Sequence, residues 1–244
     1  MFGLLWSATA DQSLNATSLL QVASTDGELG LTRDMMYGIR GSLPPLHGTA
    51  QECAQLADSF ERRGLPVQKL WAENATERRF VDSVDGHGIV HLAAHGLVDE
   101  CHGNLFGAIA LTPPAEDSAS DGDDGFLSYN EILHLRLADC ELAVLSACQT
   151  NVGPDRPLEA GSTLAQAFLA AGARRVVASH WSVSDASTAQ LVSTFVDSLA
   201  DRLKNEAPLT YASALHQAKL KVRNDPRWQA PYFWAPFVII GPSE

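Results

Sequence analysis

His95 and Cys148 are the two side chains of this sequence best suited to covalent chemistry. A cysteine attacks only as thiolate, and a neighbouring imidazole lowers its pKa or takes its proton. A histidine and a cysteine far apart in sequence but adjacent in a sheet therefore make a base–nucleophile dyad. Gly96 adds a third part: lacking a side chain, its N–H can approach a substrate carbonyl closely, and with the backbone N–H of Cys148 it would form an oxyanion hole. The same residue types also have a plainer use, because free cysteine is among the most buried of residues and mostly packs as a small hydrophobe.

For the dyad to exist, separate elements must deliver its members to one place. The run Gly-Ile-Val-His-Leu-Ala-Ala-His-Gly at 88–96 reads as a buried strand that carries His95 at its C-terminal tip, and 142–148 as a second buried strand ending on Cys148. In open parallel sheets reactive groups gather at the carboxyl edge, where both residues would then stand. Around these strands the spacing predicts a helix from Gly48 to Gly64 with Cys53, Leu56, Ala57 and Phe60 on one face, and a strand over 67–71. A short helix from about Thr76, an apolar run at 105–111 and a short helix over 129–135 follow. Beyond Cys148 come a helix over 163–171, a strand over 175–179, helices over 186–203 and 211–222, and a last strand over 237–240. Strands alternating with helices argue an α/β fold with a mostly parallel central sheet covered on both faces. Residues 1–40 read as an N-terminal extension or early strands, and 41–244 as one domain.

Composition narrows the function classes. The 244 residues are 45% hydrophobic and 19% charged, enough for a single buried core. A formal net charge of −12 argues against nucleic acid as a direct partner, since phosphate binding needs a basic stripe. No apolar run approaches the roughly 20 residues of a membrane span, and the N-terminus lacks the basic region of a signal peptide, so no membrane association is expected. Four cysteines without a C-x-x-C pair suit reduced thiols in the cytoplasm. The acidity is local: 81–135 holds ten Asp and Glu and no Lys or Arg. Such a run is a solvated face or a surface for a basic partner. Within it, 112–125 has the composition of a solvated loop; with no basic residue there, and Arg156 followed by Pro157, self-processing at basic sites is not expected.

His91, His95, Cys101 and His102 together resemble a metal-ligand set. His91 and His95 lie on an apparent strand rather than a helix or knuckle, and His91 reads as a satisfied core histidine. No metal and no cofactor are expected.

Three segments, His91-Leu-Ala-Ala-His95-Gly96, Leu127-Ser-Tyr-Asn-Glu-Ile-Leu133 and Ala138-Asp-Cys-Glu-Leu-Ala-Val-Leu-Ser-Ala-Cys148-Gln-Thr150, resemble the CHAT family, relatives of caspases and separases. The likeness continues through 164–181, Asp185 and the tail at 232–241, in family order. Where the family usually reads Ala-Cys-Glu-Thr-Gly, this chain has Ala147-Cys148-Gln149-Thr150-Asn151. The resemblance implies a caspase-like three-layer sandwich and a cysteine endopeptidase, with His95 as general base and Cys148 as nucleophile through an acyl-enzyme. It also implies that substrate is gripped as an extended strand along Ser179, His180 and Trp181. Trp181 is either a subsite wall or a core aromatic. Ser146 occupies a position where some relatives carry an acidic or amide group in the S1 pocket. Asp185 is either the acceptor for a basic P1 residue or a first-turn acid of the helix it opens. The partners implied are a protein substrate and an activating or sensor protein. The competing reading is a catalytically silent caspase-like interaction module.

Overall fold

Alternating apolar runs and amphipathic segments assemble here into three layers. The computed structural model describes residues 18–23, 46–97, 107–113, 123–147, 163–181, 184–205 and 210–242. Its main sheet has six strands: β1 (Leu19–Ala23), β2 (Val67–Trp71), β3 (Ile89–Ala93), β7 (Leu142–Ser146), β8 (Val176–Ser179) and β9 (Phe237–Ile240), in the order β2-β1-β3-β7-β8-β9. All neighbours are parallel except β9, which runs antiparallel to β8 at the edge. A smaller antiparallel sheet joins β4 (His95–Leu97), β5 (Ala108–Ala110) and β6 (Phe126–Ser128).

Because successive strand residues point to opposite faces, each central strand feeds two cores. Leu20, Val22, Val90, Leu92, Ala143 and Leu145 pack on one side, against α2 (Glu77–Ser83), α3 (Tyr129–Leu133), α4 (Leu164–Ala170) and the small sheet. Leu19, Ile89, Leu142, Val144 and Val177 pack on the other, against α1 (His47–Arg62), α5 (Asp185–Lys204) and α6 (Tyr211–Arg223). This second face is where the polar exceptions lie: by the same alternation Gln21, His91 and Ser146 project toward α1.

Local chemistry explains the helix ends. Thr76, Ser128 and Thr163 each accept a backbone N–H of the following first turn, and the last two form capping boxes with Glu131 and Gln166. At the far edge Arg175, 2% exposed, donates to Glu141 and to the Pro242 carbonyl, both at 2.9 Å, and lies over the Tyr211 ring at 4.4 Å. It thereby locks the C-terminal strand onto the sheet.

One expectation changes, and one open alternative is decided. The strand expected over 88–96 stops at Ala93, and after Ala94 the chain leaves the main sheet, so His95 begins β4, paired with Ala110. An unbroken apolar run cannot reveal that break, because the new pairing partner lies in a distant segment. Leu19–Ala23, inside the stretch read as an extension or early strands, lies between β2 and β3 and is integral to the central sheet.

Candidate functional site

The register of the two central strands brings the candidate site together. β3 and β7 are parallel neighbours with Ala93 opposite Ser146. Two residues beyond Ala93 stands His95; two residues beyond Ser146 comes Cys148 in sequence. Cys148 itself, like Cys101 and His102 of the metal-like set, lies outside the described residues. Both chains thus run out at the same carboxyl edge from strands about 4.8 Å apart. His95 and Gly96 are half-buried.

Behind this edge lies a buried polar chain that the sequence reading did not single out. Glu52 of α1, with a side chain 3% exposed, receives the His91 Nε2 at 2.7 Å and the Ser146 hydroxyl at 3.1 Å. The Gln21 amide meets His91 Nδ1 at 3.3 Å. His91 is therefore a core histidine with partners on both ring nitrogens. Glu52 had a readable signal: with Thr49, Leu56 and Ser59 it falls at the three- and four-residue spacing of the inward face of α1, all of them buried. A carboxylate in that phase announces a buried polar contact.

Ser146, Ser179 and Asp185 share one small cavity with Glu52, Thr49, Thr188 and Ala147, with a volume of about 20 Å³, space for one water molecule. The Ser179 hydroxyl donates to the Ala147 carbonyl at 3.0 Å. Asp185 opens α5, where Ser184 is the N-cap, and its carboxylate accepts the backbone N–H of Gly48 at 3.1 Å. The acid is in the first turn of its own helix while capping the start of another.

His180 and Trp181 do not line that cavity. His180 donates its backbone N–H to the Pro236 carbonyl at 3.1 Å, extending the β8–β9 pairing. Alternation then turns the backbone of Ser179 toward β7, level with its last residue Ser146. Trp181 is 36% exposed and its indole N–H donates to the Tyr232 carbonyl at 3.1 Å, so it stands on the surface and not in the core. Tyr232, whose carbonyl holds the indole, is 52% exposed, and its ring stands edge-on to Phe233 at 5.3 Å.

The two described cysteines are buried thiols held in the neutral form. Burial pushes the Cys140 thiol up to about 12, and burial together with the neighbouring Glu52 charge pushes the Cys53 thiol up as well. Among the described residues no group of three or more His, Cys, Asp or Glu is arranged to hold a metal, and no helix is long and apolar enough to cross a membrane.

This architecture is a caspase-like α/β fold. It is similar to the Arg-specific cysteine proteinase gingipain R, with a TM-score of 0.62 and 13% identity over 97% of this chain and 48% of that one. The complex of Porphyromonas gingivalis RgpB pro- and mature domains matches with a TM-score of 0.59 and 14% identity, over 97% of this chain and 49% of that one. The CHAT domain model matches residues 8–242, and the chain belongs to that family. Tetratricopeptide repeat protein 28 is 29% identical over 206 residues in Homo sapiens and over 204 in Mus musculus. In both, 72% of this chain is covered and only 8% of the relative. The chain thus spans about half the length of these proteinases and a small fraction of the repeat proteins.

Proposed function

We propose that this chain is a cysteine endopeptidase in which His95 is the general base and Cys148 the nucleophile. The observation that carries the reading is the pairing of Ala93 with Ser146, which sends two chain segments out of adjacent parallel strands with the imidazole and the thiol each two residues further on. His95 takes the thiol proton, the thiolate attacks the scissile carbonyl, and the N–H groups of Gly96 and Cys148 receive the oxyanion. The proton passes from the imidazole to the leaving amine, and water then hydrolyses the thioester to regenerate the thiol. Substrate lies as an extended strand along Ser179, His180 and Trp181, with the exposed indole of Trp181 walling an apolar subsite.

Asp185, an acid at the start of α5 on this edge, supports a basic P1 residue, which would enter in front of the one-water cavity that Asp185 shares with Ser146 and Ser179. The matched relatives carry tetratricopeptide repeats by name, and the matched region is a small part of them. That supports a peptidase switched on by an activating or sensor protein. The thiol pattern suits the reducing cytoplasm.

The test is cleavage of a positional peptide library and of denatured protein by wild type, Cys148→Ala and His95→Ala, with cut sites read by mass spectrometry in the presence and absence of a candidate activator. Cleavage confined to wild type, after Arg or Lys, is expected. A catalytically silent interaction module is the outcome if wild type neither cuts nor reacts at Cys148 with a peptidyl thiol-directed probe. Trp181→Ala is expected to raise KM about tenfold with kcat less affected, as for loss of a buried aromatic contact.

A further inference from the structure

We infer that Glu52 is a positioning residue which, together with Ser179, clamps the end of β7 and so sets where Cys148 stands. The inference rests on the peptidase reading and adds to it the buried Glu52 carboxylate, which touches neither substrate nor reacting atoms, and the Ser179 hydroxyl, which faces Ala147 while the Ser179 backbone serves the substrate strand.

Residues 146 and 147 are the last described before Cys148, and each is held from a different side. Ser146 is tied by its hydroxyl to Glu52 on α1 at 3.1 Å. The Ala147 carbonyl is tied by the Ser179 hydroxyl on β8 at 3.0 Å. Glu52 cannot drift, because its other oxygen is fixed by His91 at 2.7 Å, and His91 is in turn met by Gln21 in register on the adjacent strand. The result is a strut that runs from α1 across β3 to β7, with Glu52, His91 and Ser146 all buried.

Packing alone does not call for this arrangement. The apolar part of the inward face of α1 is supplied by Cys53, Leu56, Ala57 and Phe60, and burying a carboxylate is unfavourable unless each oxygen is paired. A hydrophobic residue would fill the space at lower cost but could not grip a hydroxyl. What the carboxylate adds is direction: one oxygen grips Ser146, on the segment that leads into the nucleophile, while the other is held by His91 on β3. Reaction rates fall steeply when a reacting group is displaced by about 1 Å, by about 100-fold.

The experiment compares Glu52→Ala, Glu52→Gln, Ser146→Ala and Ser179→Ala with wild type. It measures kcat and KM on a cleaved peptide, thermal stability, and the pH–rate profile of Cys148 alkylation by iodoacetamide, followed by mass spectrometry of that peptide alone. Folded Glu52→Ala and Ser179→Ala are expected to lose about tenfold or more in kcat with KM within about threefold, and their alkylation inflection moves up toward that of an ordinary thiol near 8.5. Glu52→Gln, which keeps an acceptor for Ser146, recovers part of the loss and serves where the alanine variant does not fold. Wild-type kcat and an unshifted profile in the folded variants would overturn the clamp. If wild type shows no turnover, the peptidase reading fails on that count and the clamp is judged by alkylation alone: a change of at least about fivefold in the Cys148 rate at pH 8.5 supports it, and an unchanged rate refutes it.

Discussion

Asp185 accepts the backbone N–H of Gly48 at 3.1 Å, which brings the N-termini of α5 and α1 to one point of the candidate site. The first turn of α1 carries unsatisfied N–H groups and the positive end of the helix dipole, and the carboxylate answers both. The approach is close enough that a side chain at this position would press on its neighbour. A Cβ on Gly48 would stand 3.0 Å from the Asp185 Cβ and 3.1 Å from its carbonyl oxygen.

From this contact follows a pair of variants. Gly48→Ala crowds Asp185 by a few tenths of an ångström and is expected to destabilise by about 1 kcal/mol, as for mild overpacking, with an unchanged or raised stability showing that Asp185 gives way. Asp185→Ala removes a cap and is expected to cost about 1 kcal/mol, whereas Asp185→Asn keeps an acceptor and loses less. Urea denaturation followed by circular dichroism measures all three. Asp185→Asn should also lower the preference for basic over neutral P1 residues in the library assay; an unchanged preference would remove Asp185 from substrate recognition and leave it as a cap.

Thiol chemistry gives a second check that requires no substrate. Cys53 and Cys140 are both buried, 1% and 2% exposed, and burial raises both thiols well above their ordinary range. A thiol held in its neutral form does not react. Native protein treated with iodoacetamide at pH 8 is expected to leave both unmodified, and both are modified after unfolding in guanidinium. Peptide mapping reads the result. Rapid native labelling of either would mean that its surrounding core opens.

The acidic stretch makes a prediction about pH. Glu77 is buried and faces Glu131, Asp124 and Asp123, and burial, with those charges, pushes its carboxyl from an ordinary 4.5 up to about 8. The sign follows from proton counting. Between about 4.5 and 8 the folded chain holds a proton at Glu77 that the unfolded chain releases, so stability falls as pH rises through that window. Glu77→Gln should flatten this slope and make the protein more stable than wild type above pH 8. Denaturant midpoints measured from pH 5 to 9 test it; an identical slope in the variant would show that Glu77 keeps its charge.

How much of this was legible beforehand differs by feature. The helix over His47–Arg62, the strands over 67–71 and 237–240, and the long helix from Asp185 stand where hydrophobic period and end signals put them, because those signals are local. The residue types for chemistry and the family motifs were equally readable. Pairing was not. That His95 leaves the sheet for a second, antiparallel one depends on Ala110, a partner no nearby residue announces. That Ser179 spends its hydroxyl on Ala147, and that Trp181 stands exposed beside Tyr232, depend on strands meeting across long stretches of chain.

The sequence by itself determined the α/β class, the local run of acidic residues, the family and the His95 and Cys148 candidates, since composition, periodicity and motif order are properties of the chain alone. Only the tertiary structure decided that Glu52 joins His91 and Ser146 behind the site, and that Asp185 is shared between a helix cap and a cavity. Both are contacts between side chains remote in sequence. Their partners are chosen by strand register and by the face each helix turns inward, and these are settled when the whole sheet assembles.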